Sequence, residues 1–175
     1  GRAMFPKGIR GILPDEITTA DALSAAGYRT GLFGKWHLGD RSPHLPNDMG
    51  FELFYGSHYS NDMKPYAFYR NRDVEIEAPV DQDLITGTLT DEICTFIDES
   101  VEVDRRFYVH YASPFPHDPV HASEAFTGSS KAATYGDCVQ ELDWSVAQIV
   151  AKLDEHGLTD NTLIVFISDN GPWWE

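Results

Sequence analysis

Positive charge is scarce in this chain. Its 13 lysines and arginines stand against 28 aspartates and glutamates, a formal net charge of −15. That balance argues against a nucleic-acid-binding protein, which needs a basic surface to meet phosphate. It also gives an anionic substrate no long-range attraction, so an anion site must be built locally from a few cations or a metal. A run of about twenty apolar residues is missing, so no membrane-spanning helix is expected. No signal peptide is visible. Cysteine is rare: Cys94 and Cys138 both fall in helical patterns and read as buried small hydrophobes, not as a disulfide framework or a zinc site. The 175 residues suffice for one domain with a sizeable core.

What is present is organised around residues 27–39, GYRTGLFGKWHLG. Thr30 to Phe33 is short, β-prone and flanked by glycines, as a buried strand would be. Gly34 and Gly39 then bracket a turn carrying Lys35, Trp36 and His37. Lys35 and His37 are two residues apart, so persisting strand geometry would point both side chains to one side. An ammonium beside an imidazole is a poor structural pair, because neither neutralises the other. Together they suit a tetrahedral oxyanion, which needs fixed positive charge and a proton-transfer group. The plainer alternative is a surface lysine and a half-buried histidine on an ordinary turn.

Before this stretch, residues 1–13 are glycine-rich and irregular. Thr18 or Thr19 is a plausible N-cap for a short alanine-rich helix over 20–26, stopped by Gly27. After it, residues 40–83 hold Pro43, Pro46, Pro65 and Pro79 with many aromatics and no regular period, the signature of a long loop. The aromatics argue against disorder, and residues 50–56 read as a packed segment within that loop. His44 and His58 are expected to be surface or hydrogen-bonded histidines. From Leu84 a helical period returns, with Leu89, Ile93, Phe96 and Ile97 on one face and an end before Arg105. Residues 107–112 form a second strand, with His110 expected in the core. Three prolines in residues 114–119 then fix a rigid loop that can aim His117. His121 reads as a loop histidine. Residues 135–156 form the clearest helix, with an apolar stripe through Tyr135, Val139, Leu142, Val146, Ile149, Val150 and Leu153, and Trp144 off its centre. Residues 162–167 are a continuous apolar run that suits a strand buried on both faces. It ends in Ser168-Asp169-Asn170-Gly171-Pro172, which could be only a turn, but whose Asp169 and Asn170 also offer adjacent hard oxygens for calcium or magnesium.

Helix, strand, helix, strand, helix, strand is the order of an α/β fold with parallel strands and right-handed crossovers. Ligands of such sheets bind beyond the carboxyl ends of the strands. Lys35 and His37, then His117, then Asp169 and Asn170 follow three successive expected strands, so one cleft at that edge should hold them all.

These residues also carry a resemblance. GYRTGLFGKWHLG is similar to the second signature of the sulfatase family, as found in arylsulfatases and N-acetylgalactosamine-6-sulfatases. Gly50-Phe51-Glu52-Leu53-Phe54-Tyr55-Gly56 resembles the segment that follows it there, Pro116-His117-Asp118-Pro119 resembles the family's P-H-x-P, and Ser168-Asp169-Asn170-Gly171-Pro172 its S-D-N-G-P. The likeness is weakest over residues 57–83. It implies an alkaline-phosphatase-like sheet sandwiched by helices, and hydrolysis of sulfate esters by a formylglycine nucleophile. In that scheme Lys35 stabilises sulfuryl charge and His117 touches the sulfate and serves the leaving oxygen. His37 assists release of sulfate, and Asp169 and Asn170 bind the divalent cation, calcium or else magnesium. Neither cysteine stands in a C-x-P-S-R context, and an upstream aspartate pair and a later lysine have no counterpart. Gly1-Arg2 resembles the close of the nucleophile motif. Residues 1–175 are therefore expected to be part of a single sulfatase catalytic domain truncated at both ends, inactive alone. The resemblance implies a sulfated small molecule or glycan as substrate, a formylglycine-generating enzyme as partner, and a periplasmic, secreted or lysosomal setting. The alternatives are a phosphate or phosphonate ester hydrolase of the same superfamily, and a non-catalytic carbohydrate-binding module using the aromatics of residues 51–69.

Overall fold

Thr18 starts the fold by closing a reciprocal cap. Its hydroxyl accepts from the Asp21 N–H at 3.0 Å while the Asp21 carboxylate accepts from the Thr18 N–H at 2.9 Å, satisfying two donors that a helix start leaves open. The helix α1 (Thr19–Ala25) follows, and Gly27, at φ +85, turns the chain into strand β1 (Arg29–Lys35). The computed structural model describes residues 4–171. Gly1, Arg2 and Pro172, on which parts of the motif reading fall, lie outside them.

β1 is the centre of a mixed sheet. β2 (Leu53–Ser57) runs parallel to it on one side, and β5 (Phe107–Ala112) runs parallel on the other. Two short antiparallel strands, β3 (Phe68–Arg70) and β4 (Asp73–Ile76), extend the β2 side, giving the order β4-β3-β2-β1-β5. The expected long loop over 40–83 is thus three strands and their connections. β2 was hidden because a strand buried on both faces shows no alternation, and all but its first residue are buried. At the carboxyl ends the three parallel strands crowd together. A Cβ on Gly34 (φ +110) would lie 2.0 Å from the Ala112 carbonyl oxygen, and one on Gly56 would lie 2.0 Å from the Gly34 oxygen, so only glycine fits either place.

Alternate residues of β1 serve opposite cores. Phe33 meets Phe96 of helix α2 (Ile85–Glu102) edge-on at 5.4 Å, in a cluster that also takes in Tyr55, Phe68, Ile85, Leu89, Ile93 and Ile97. Leu32 faces the other way, into a second cluster with Ala20 of α1, Trp36, Met49, Phe51 and Phe54. Helices therefore cover both faces, as an α/β sheet requires. The expected apolar face of α2 is the observed one.

Helix α3 (Ala133–Glu155) packs against α2 with Leu142, Ile149 and Leu153 of the expected stripe in the main core, but its first turns are rotated from that stripe. Tyr135 and Val139 are exposed, while Asp137, Cys138, Glu141, Ser145 and Leu153 are buried. The cause is polar. The Asp137 carboxylate accepts from the N–H groups of Gly128 and Ser130 (2.8 and 2.7 Å), and Glu141 accepts from that of Ser123 (2.8 Å). These carboxylates tie down the loop before the helix. Trp144, expected to cover a neighbour, packs at 5.8 Å on Phe126 of that loop.

Residues 162–167, expected as a third parallel strand, form no strand here. Leu163 and Phe166 are 89% and 82% exposed. Nothing among the described residues covers either face of the run, so it lacks the burial that would fix it in a sheet. β5 is consequently the sheet edge among the described residues, and His110, expected in the core, is exposed on it and hydrogen-bonds the Tyr108 hydroxyl at 3.1 Å.

Candidate functional site

β1, β2 and β5 are parallel, so their carboxyl ends share one edge. From β1 the chain passes to β2 on one side and, after α2, to β5 on the other. That reversal makes the end of β1 a switch point, the place at which sheets of this kind bind ligands in a crevice. Lys35 ends β1 there. The strand does not persist to His37, whose φ of +58 is left-handed, so the expectation of two side chains aligned by strand geometry fails. A different device holds His37. Its N–H donates to the His58 carbonyl at 2.8 Å, and its ring packs edge-on against Tyr59 at 5.4 Å. The preceding Trp36 is pinned through its indole N–H to the His44 carbonyl at 2.8 Å.

The His37 Nε2 lies 3.2 Å from the Met4 carbonyl oxygen. A carbonyl only accepts, so Nε2 carries the proton and Nδ1 presents a lone pair. Burial lowers the His37 pKa below the ordinary imidazole value; the Met4 carbonyl pulls it back up, the Lys35 charge pushes it down, Asp62 pulls it up, and His117 pushes it down. Lys35, Asp62 and His117 thus each bear on His37, although they come from separate segments of the chain.

His117 sits in the proline loop after β5, with Phe115 buried as the anchor. Its Nδ1 is 2.6 Å from the Asp118 carbonyl oxygen, which places the proton there and leaves Nε2 to accept from the Ser60 hydroxyl at 3.2 Å. Ser60 is 1% exposed. Sequence reasoning missed it, because its position at the active edge is evident only once β2 is known to be a parallel strand. Next to it, Asn61 donates to the Pro119 carbonyl at 2.8 Å and to Gln82 at 2.9 Å. Residues 58–62 therefore grip the β1 turn with one end and the β5 loop with the other.

The other histidines divide differently from expectation. His44 is hydrogen-bonded as expected, through Nδ1 to the Ile12 carbonyl at 2.8 Å. His121 pairs with Asp83 at 2.7 Å. His58 is neither at the surface nor satisfied. Its ring is stacked between Phe54 and Tyr69, at 5.6 and 4.1 Å, and its Nε2 is buried with no partner among the described residues. Burial holds its pKa down to about 4, against the opposing pull of Asp40.

Asp169 and Asn170 are not joined to this group by any hydrogen bond or ion pair among the described residues. The Asn170 amide donates to the Asp169 carboxylate at 3.1 Å, and the Ser168 hydroxyl donates to the Asn170 carbonyl. Their hard oxygens are right in kind for calcium or magnesium, which take about six or more such ligands. In number they fall short: no group of three or more His, Cys, Asp or Glu able to hold a metal occurs among the described residues. The two cysteines are free thiols in α2 and α3, away from the crevice, and burial raises both pKa values, that of Cys138 to about 11.

Comparison with known proteins bears on this geometry. The family model described as Sulfatase matches residues 10–174. N-acetylgalactosamine-6-sulfatase of Canis lupus familiaris is 33% identical, the match covering 97% of this chain and 35% of that protein. Human arylsulfatase A is 32% identical, with 93% of this chain and 37% of the relative covered. The chain therefore spans little more than a third of the length of these curated relatives. Among solved structures, one from work on the metabolism of multiple glycosaminoglycans by Bacteroides thetaiotaomicron matches with a TM-score of 0.84 at 25% identity, over 92% of this chain and 46% of its own. The PsFucS1 sulfatase of Pseudoalteromonas sp. shares the fold with a TM-score of 0.76 at 24% identity, over 87% of this chain and 38% of its own.

Proposed function

Since the chain belongs to the sulfatase family, we propose that its crevice is the sulfate-handling part of a sulfuric ester hydrolase site. The observation that supports this most is the meeting of Lys35, His37 and His117 at the carboxyl edge of the sheet. Lys35 supplies fixed positive charge for the sulfuryl oxygens, which gain charge in the transition state. His117 serves the leaving oxygen. When protonated it offers its one Nε2–H to that oxygen; the Ser60 hydroxyl, which aims Nε2 in the neutral ring, gives way to it, and the Asp118 carbonyl at Nδ1 keeps the ring in place. His37 is held neutral by burial, with Nδ1 open to take a proton beside the departing sulfate.

Two groups implied by the family complete the proposal. A formylglycine, generated by its dedicated enzyme, would supply the attacking oxygen, since Cys94 and Cys138 lie elsewhere. Asp169 and Asn170 would lend two oxygens to a calcium ion, with magnesium the alternative, and the bound ion would add charge stabilisation at the sulfuryl group. The substrate class is a sulfated small molecule or sulfated glycan.

The test is the rate of the complete enzyme on sulfate esters of graded leaving-group pKa. His117→Ala should slow sugar sulfates by about 10²–10⁴-fold and activated aryl sulfates less. Lys35→Ala should slow all of them to a similar degree. Faster turnover of phosphate monoesters than of sulfate esters would overturn the proposal.

A further inference from the structure

On the sulfatase reading above, we propose that Asn61 and Gln82 are positioning residues for His117. Their paired amides fix the loop that carries this histidine. Loss of the pair slows esters of poor leaving groups and spares activated ones.

Neither amide has a choice of orientation. The Asn61 Nδ2 donates to the Pro119 carbonyl at 2.8 Å and to the Gln82 Oε1 at 2.9 Å. The Gln82 Nε2 returns a bond to the Asn61 backbone carbonyl at 3.1 Å. Two of these three acceptors are backbone carbonyls, which only accept, so flipping either side chain would set oxygen against oxygen. Asn61 is 3% exposed, and its Oδ1 is buried with no partner among the described residues. Leaving a buried acceptor unmade is destabilising. The arrangement gives up that acceptor to keep both Asn61 donors on Pro119 and Gln82. Amides of this kind do not titrate, so the pair holds whether His117 is protonated or neutral.

Each end of the clamp rests on a fixed part of the fold. Gln82 begins the short 3₁₀ turn Gln82–Leu84, which leads directly into α2, and the Ile85 and Leu89 that follow are buried in the main core. Asp83 bonds the His121 Nδ1 at 2.7 Å, a second tie from the start of α2 to the loop beyond His117. On the loop side Phe115 is buried, and the Pro119 carbonyl comes directly after the Asp118 carbonyl that orients the His117 Nδ1. His117 itself is exposed, so bonds on either side of it, not its own burial, set its place. Ser60 aims the ring, whereas Asn61 and Gln82 hold the backbone from which the ring projects. A misplaced proton donor loses much of its advantage. That loss falls on esters whose leaving oxygen needs a proton.

The experiment uses the complete enzyme with a sugar sulfate and an activated aryl sulfate. Gln82→Ala should lower kcat/KM about tenfold for the sugar sulfate and less than about twofold for the aryl sulfate. Gln82→Glu keeps the acceptor for Asn61 and loses the donor at neutral pH, so its effect should fall between that of Gln82→Ala and none. In a His117→Ala background Gln82→Ala should add less than about twofold, because a residue that acts through another is not additive with it. Equal slowing of both esters, slowing of neither, or an undiminished effect in the His117→Ala background overturns the positioning role while leaving sulfate hydrolysis standing. Turnover of neither ester by the natural enzyme overturns the sulfatase reading itself.

Discussion

His58 should make the fold acid-labile over a defined range. In the unfolded chain its pKa is the ordinary 6.5; in the folded protein burial between Phe54 and Tyr69 holds it at about 4. Between those values the unfolded chain binds a proton that the folded protein refuses. Stability therefore rises with pH in this window. The contribution is fully present above pH 6.5 and is lost as pH falls towards about 4. A gap of roughly two and a half pH units, at about 1.4 kcal/mol each, corresponds to a loss of about 3 kcal/mol. That is a large fraction of the roughly 5–15 kcal/mol that holds a domain folded. Carboxylates also titrate in this range, so the measurement is differential. His58→Phe keeps a flat ring in the stack and removes the titrating group together with its unpartnered Nε2. Urea midpoints of both proteins, taken from pH 7 to pH 4, should diverge, with the natural protein falling further by about 3 kcal/mol. Parallel curves would refute the reasoning. The same protonation would loosen the His58 carbonyl that holds the His37 N–H, so activity should fade over the same window before global unfolding.

Two further outcomes are expected. Ser60→Ala should lower kcat about tenfold with KM little changed, because the His117 ring loses the contact that aims Nε2, and should cost about 1 kcal/mol of stability in a urea titration. Thr18→Ala opens the capping box of α1 and should lower stability by about 1 kcal/mol, with no effect on the leaving-group dependence of the rate.

Local signals in the sequence reached their targets where one residue type serves one physical need. Thr18 and Gly27 bound α1, Leu89 to Ile97 mark the buried face of α2, and residues 107–112 coincide with β5. They failed where a partner decides the outcome. Leu53–Ser57 is a strand because β1 and β3 bracket it, and nothing in its own run of aromatics and small residues shows that. The buried face of the first turns of α3 follows carboxylates that bond a preceding loop, which an apolar stripe cannot report, while Leu142, Ile149 and Leu153 of the stripe do reach the core. Residues 162–167 have every intrinsic mark of a strand and form none among the described residues, because a strand needs a neighbour as well as a propensity. The chemistry divides the same way. Lys35, His37 and His117 could be singled out by type and place. Ser60, Asn61 and Asp62 could not, since what distinguishes them is whom they touch.

The segment from His58 to Asp62 spans two loops that belong to different strands, and it ties the backbone of one to the imidazole of the other. The two histidines are therefore spaced by a crosspiece and not by the sheet alone. Such a tie fixes the gap between the rings through the segment's own hydrogen bonds. In the function proposed here, that gap would be the span into which an ester fits from its proton donor to its proton acceptor. Lengthening or shortening these five residues would retune the width of the gap while leaving both histidines, and the strands that carry them, unaltered.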